Sequence, residues 1–99
     1  MKPENKTILN DVKGQLTRIM DCGCYEQYDY EQLEYLVQLI DYMVLDKMPL
    51  CKRTIIAFMQ EIITTSIYGL NPALLSVLHD VQRLEEELDD DEISIHKEL

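Results

Sequence analysis

The distribution of apolar positions along the chain predicts four amphipathic helices. In the first, at about residues 7–21, apolar side chains recur every three or four positions, the spacing that places them on one helical face. Asn5 or Thr7 is the candidate N-cap. Gly14 lies inside this helix and costs about 1 kcal/mol relative to alanine, which indicates a weak helix or a close backbone approach. The apolar face consists of Ile8, Leu9, Val12, Leu16, Ile19 and Met20.

The second helix is predicted at about residues 30–46. Asp29 and Gln32 have the spacing of a capping box, in which each residue bonds the backbone of the other. Pro49 suits the first turn of a helix, so the third helix is predicted to start there. The apolar face of the second helix consists of Leu33, Leu36, Val37, Ile40, Met43 and Val44.

The third helix, at about residues 49–68, has an unusually broad apolar arc, which favours a central position in the fold. Gly69 follows it at the position where a left-handed residue commonly ends a helix. Asn71 and Pro72 then have the pattern of an N-cap followed by proline, so a fourth helix is predicted at about residues 72–88. The broad arc of the third helix consists of Cys51, Ile55, Phe58, Met59, Ile62, Ile63 and Ile67.

The short connections between these helices favour antiparallel neighbours. The predicted fold is therefore all-α: a single small four-helix antiparallel bundle over residues 1–88. An acidic C-terminal tail, residues 89–99, follows it, and we expect this tail to be flexible.

Charge is distributed unevenly along the 99 residues. Residues 1–84 contain eight Lys/Arg and eleven Asp/Glu, a net of −3, whereas residues 85–99 contain one Lys and eight acids, a net of −7. A strongly negative surface repels phosphate backbones, so direct nucleic-acid binding is disfavoured. No apolar run approaches the ~18 residues of a membrane span. We expect a cytoplasmic protein without a cofactor.

Seven acids in eight residues form the acidic run, residues 85–92, and are candidate contacts for a basic partner protein. As a helix the run would be about 12 Å long, over which duplex DNA carries about seven phosphates, so its charge density suits a nucleic-acid mimic. A solubilising role for the tail is the alternative. The candidate residues are Glu85, Glu86, Glu87, Asp89, Asp90, Asp91 and Glu92.

Tyrosine combines apolar area with a polar tip and is common at interfaces, so four tyrosines are further candidates. Tyr25 and Tyr28 lie in the connection after the first helix, and Tyr35 and Tyr42 are seven residues apart on one face of the second. The alternative is that these rings cover the edge of the bundle.

Three cysteines raise the possibility of a metal site. Gly23 lies between Cys22 and Cys24, where a glycine commonly ends a helix. A tetrahedral zinc site from Cys22, Cys24 and Cys51, with His79 as a fourth ligand, is the weaker alternative, because the second closely spaced pair of ligands is missing. We therefore predict no metal.

No arrangement of nucleophile, base or phosphate-binding loop stands out, and we expect no enzyme. The favoured hypothesis is a small acidic inhibitor or antagonist of a basic partner, of phage or mobile-element type. The order of four helices and a tail also resembles, in architecture only, the immunity proteins that protect bacteria from small bacteriocins. A secretion chaperone or adaptor and a homodimer are further alternatives.

Overall fold

The computed structural model describes residues 2–23, 28–65 and 69–88. These residues form four α-helices, which confirms the prediction of an all-helical chain. The helices are α1 (Pro3–Asp21), α2 (Tyr30–Val44), α3 (Lys52–Ile63) and α4 (Pro72–Glu87). The C-terminal tail lies outside the described residues.

Helix α1 begins at Pro3, about four residues before the predicted start. The fixed φ of proline suits the first helical position, and Lys2 is the N-cap. The predicted caps are therefore wrong: Asn5 and Thr7 lie inside the helix, where the Thr7 hydroxyl donates to the Pro3 carbonyl at 3.0 Å. The predicted end is confirmed, because α1 ends just before Gly23, whose φ is +74°.

The N-cap of α2 is confirmed, since the Asp29 carboxylate accepts the backbone N–H of Gln32 at 3.2 Å. The Gln32 side chain does not complete a capping box. Its amide donates to α3 instead, to the carboxylate of Glu61 and, at 3.3 Å, to the Glu61 carbonyl. Helix α2 ends at Val44, two residues before the predicted end, and Asp46 adopts a φ of +60°.

Helix α3 is shorter than predicted at both ends. It begins at Lys52, with Cys51 as an extended N-cap, and ends at Ile63. The hydroxyl groups of Thr64 and Thr65 both donate to the Glu61 carbonyl, at 2.9 and 3.0 Å, and so take one of the last helical acceptors. Residues 66–68, which include the predicted core residue Ile67, lie outside the described residues.

The boundaries of α4 agree with the sequence prediction. The side-chain oxygen of Asn71 accepts the backbone N–H of Leu74 at 3.0 Å, and Pro72 occupies the first helical position. At the other end the helix stops at Glu87, and Leu88 has the extended angles φ −84° and ψ 144°.

Each helix packs against two others. Helices α1 and α3 both contact α2 and α4, and within the described residues the opposite pairs have no close backbone approach. The shared core is mainly aliphatic, and Phe58 is the largest of its fully buried side chains among the described residues. Its fully buried members include Leu9, Val12, Leu16, Leu33, Leu36, Ile40, Ile55, Ile62, Leu74, Val77, Val81 and Leu84.

The expectation of a central α3 is wrong. Two residues of this helix, Ile56 and Ile63, keep 45 % and 50 % of their surface exposed. Among the described helices, α3 has close backbone contacts with α2 and α4 alone, so its apolar arc extends beyond the buried face. Ile56 and Ile63 therefore form part of an exposed apolar surface and do not pack against a further helix among those described.

Candidate protein-binding surfaces

The acidic run begins in the last turn of α4, where its three described glutamates differ in environment. Glu85 is held by α3: the Lys52 ammonium donates to the Glu85 carbonyl at 2.8 Å and lies 3.4 Å from its carboxylate. Glu86 and Glu87 are exposed. The remaining acids, Asp89, Asp90, Asp91 and Glu92, lie outside the described residues. The run therefore starts from a helix end that is fixed to the start of α3.

The three candidate tyrosines that the structure describes do not form one surface. Tyr28 is only 6 % exposed, and its hydroxyl oxygen accepts a hydrogen bond from the side-chain amide of Asn71. Tyr28 is part of the core. Its buried position does not support the prediction that it contacts a partner. Tyr35 and Tyr42 keep 45 % and 43 % of their surface exposed. Tyr25 lies outside the described residues.

An apolar groove of about 300 Å³ runs between α2 and α3, and we call it the α2–α3 groove. Helix α2 contributes Tyr35, Leu39 and Met43, and the following turn contributes Met48. On α3 the small side chain of Ala57 leaves the space above Phe58 open. These apolar side chains form a floor, and the flexible methionines suit an adaptable binding surface.

Charged side chains mark the two ends of the α2–α3 groove. Arg53 lines it near the start of α3, and Glu61 lines it near the end. These residues are eight positions apart, about 12 Å along a helix that rises 1.5 Å per residue. Exposed Lys47 adjoins Met48 at the basic end, and exposed Glu31 lies one helical turn from Tyr35 at the acidic end.

The local sequence pattern does not reveal this groove. Of its lining, Tyr35 alone is a predicted site residue, and Leu39, which is 9 % exposed, is not in the predicted core. The sequence does contain one sign of the groove: Arg53, Ala57 and Glu61 are four residues apart, so they lie on one face of α3 with the small residue in the middle. This spacing indicates a groove only if α2 packs opposite α3, and the sequence near Ala57 does not determine that packing.

A second, more open cavity of about 360 Å³ lies where the end of α1 meets the start of α4. Its lining includes Cys22, Tyr28 and Ala73. The Cys22 thiol donates to the Ile19 carbonyl at 2.9 Å, within its own helix end.

The positions of the cysteines argue against the alternative metal site. Cys22 lies beside Ala73 at the start of α4, whereas Cys51 precedes Lys52, which binds Glu85 at the end of α4. Ala73 and Glu85 are twelve positions apart, about 18 Å along the helix, so the two thiols cannot bind one ion. Cys24 lies outside the described residues. Within the described part of the chain no three His, Cys, Asp or Glu side chains are grouped as metal ligands.

In the part of the chain that the structure describes, no helix has both the length and the apolar character required to cross a bilayer. Comparison of the chain with family models, with curated proteins and with solved structures finds no match.

Proposed function

We propose that this chain is a non-catalytic binding protein whose acidic end inhibits or antagonises a partner with a basic surface. Its proposed architecture is a four-helix antiparallel bundle, and its proposed location is the cytoplasm. The observation that carries the proposal is the exposure of Glu86 and Glu87 at an anchored helix end, from which the sequence continues into four further acids.

The Lys52–Glu85 contact supports this role because it holds the last turn of α4, which presents Glu86 and Glu87, against the start of α3. A charged surface that is held in place loses less conformational entropy on binding than one on a fully flexible segment. The surplus of negative charge also attracts a basic partner during encounter.

The test is neutralisation of the exposed part of the acidic run. Six residues change to their amides while Glu85 is kept: Glu86→Gln, Glu87→Gln, Asp89→Asn, Asp90→Asn, Asp91→Asn and Glu92→Gln. Affinity capture from the native cells identifies the retained partner, whose dissociation constant is then measured with purified proteins. We expect the neutralised variant to bind at least tenfold more weakly, and native binding to weaken steeply with salt.

A charge-matched control distinguishes a local contact from general attraction. It neutralises six exposed acids elsewhere in the described chain and should bind almost as well as the native protein. Binding that persists at about 1 M salt, where the screening length is about 3 Å, contradicts the proposal. The control positions are Glu4, Asp11, Asp21, Glu31, Glu34 and Asp46.

A second candidate function, that of an adaptor or chaperone for an amphipathic segment, is favoured by the α2–α3 groove. A bacteriocin-immunity role would use the same kind of apolar surface. Ala57→Trp fills the groove and should remove partner binding, whereas Gln60→Trp adds the same bulk at an exposed position outside its lining. Equal effects of the two substitutions would argue against this candidate.

A homodimer is the remaining alternative, and one surface favours it. Ile56 and Ile63 on α3 and Leu75 on α4 are exposed, at 45 %, 50 % and 48 %. Exposed apolar patches commonly mark interaction sites. Light scattering over a range of protein concentrations measures this directly, and Ile63→Glu should abolish any dimer that buries this face.

A further inference from the structure

We propose that the α2–α3 groove is the docking site of this chain's own C-terminal tail. The acids of residues 89–92 lie at the basic end of the groove, Ile93 and Ile95 lie on its apolar floor, and Lys97 lies at its acidic end. The contact is intramolecular and does not depend on the proposed function.

The first support is the order of charges along the groove. Arg53 and Lys47 make one end basic, Glu61 and Glu31 make the other acidic, and the floor between them is apolar. An occupant that matches this surface carries acidic residues, then apolar residues, then a basic residue. Opposite charges placed in register in this way specify the orientation of a bound segment.

The second support is that the C-terminal tail has this order. Four acids at residues 89–92 are followed by Ile93, Ser94 and Ile95, and then by His96 and Lys97. Residues two apart in an extended segment point to the same side, so both isoleucines can face the floor while Ser94 faces away. The five residue steps from Glu92 to Lys97 span about 17 Å when extended, enough to bridge charges about 12 Å apart.

The third support is the position where the described chain ends. The contact between Lys52 and Glu85 places the end of α4 beside the start of α3, which is also the basic end of the groove. Leu88 is already extended. The five residue steps from Leu88 to Ile93 reach up to about 17 Å, more than the width of about 10 to 12 Å of a helix with its side chains. The tail therefore enters the groove with its acids first.

Docking in this arrangement has a regulatory consequence. The tail covers the apolar floor and pairs part of the acidic run with the protein's own cations. An external partner that binds either surface competes with the tail, so the docked state lowers the apparent affinity for that partner.

The experiment uses the full chain, labelled with ¹³C and ¹⁵N, and measures nuclear Overhauser effects between side chains. We expect effects from the methyl groups of Ile93 and Ile95 to those of Met43 and Met48 and to the Phe58 ring. The double substitution Ile93→Asp and Ile95→Asp removes these methyl groups themselves, so it is read out on the groove, where the amide signal of Ala57 should shift as the tail leaves. Ser94→Asp, which adds one negative charge on the opposite side of the segment, is the control. It should preserve the effects from both isoleucines and leave the amide signal of Ala57 in place.

A charge exchange tests the orientation. Glu61→Lys should weaken the effects at least twofold, and the combination of Glu61→Lys with Lys97→Glu should restore them. Failure of the combined variant to restore them would overturn the proposed direction of the tail.

The proposal is overturned if the native chain shows no effects between the tail and the groove, or if Ser94→Asp abolishes them. A sample that mixes labelled and unlabelled chains separates contacts within a molecule from those between molecules. Effects found only between molecules would assign the groove to a second copy and would equally overturn the intramolecular contact.

Discussion

The ammonium nitrogen of Lys52 lies 2.8 Å from the backbone carbonyl oxygen of Glu85 and 3.4 Å from its carboxylate. One side chain at the start of α3 thus satisfies a carbonyl in the last turn of α4. It also places a positive charge where three successive glutamates oppose the helix dipole. Lys52, which is distant in sequence, therefore offsets the unfavourable negative charge at the end of α4.

Loss of this contact should destabilise the protein. Both side chains are about three-quarters buried, so Lys52→Met should lower the free energy of unfolding by about 1 to 2 kcal/mol, as expected for a hydrogen bond with a charged donor. Urea denaturation measures the change. Glu85→Gln retains the backbone acceptor and should cost less than Lys52→Met, and the reverse ranking would contradict the importance of the carbonyl contact.

A second prediction concerns Asn71, whose side chain has two partners. Its oxygen caps α4 at Leu74, and its amide donates to the buried hydroxyl group of Tyr28. Asn71→Ala removes both contacts and should lower the free energy of unfolding by about 1 to 2 kcal/mol.

Asn71→Ser retains a capping oxygen but is too short to replace the contact with Tyr28. It should therefore cost less than Asn71→Ala, and combining it with Tyr28→Phe should add little further loss. Thermal or urea unfolding of the three variants separates the two contacts. Additive losses would show that Asn71 and Tyr28 act independently.

Gly14 offers a stabilising substitution. A Cβ atom at this position would meet nothing within 4 Å, so the close approach that a glycine can indicate is absent here. Gly14→Ala should raise the free energy of unfolding by about 1 kcal/mol through higher helix propensity. Gly69→Ala is the contrasting control, since its φ of +99° disfavours any side chain and the same change should destabilise.

Asp46 offers a stabilising substitution of the opposite kind. Its φ is +60°. Two hydrogen bonds close the turn: the N–H of Asp46 donates to the Met43 carbonyl at 3.2 Å, and the N–H of Lys47 donates to the Tyr42 carbonyl at 2.8 Å. This is a Schellman-type helix end, which glycine fits best. Asp46→Gly should therefore raise the unfolding free energy by about 0.5 to 1 kcal/mol.

Asp46→Asn removes the same charge without adding the backbone freedom of glycine. It should give a smaller gain, measured by the same urea titration. An equal gain from both substitutions would attribute the effect to charge rather than to backbone conformation.

The local sequence was sufficient to predict the helical class and several helix ends. The Asp29 and Asn71 caps and the end of α1 before Gly23 depend on residues within one turn of each other, so their chemistry does not require knowledge of the rest of the fold. The same holds for the apolar spacing that places Leu9, Val12 and Leu16 in the core.

The partner of the Gln32 side chain and the burial of individual tyrosines depend on contacts between residues far apart in sequence, so the sequence did not reveal them. The capping-box pattern could not show that the Gln32 side chain bonds α3, because Glu61 is 29 residues away. Nor could the composition of the tyrosine-rich stretch show that Tyr28 is buried while Tyr35 stays exposed, since that difference depends on the opposite helix. Helical periodicity determines which side chains share a face, whereas the packing of α2 against α3 determines which of those faces is buried and which remains a groove.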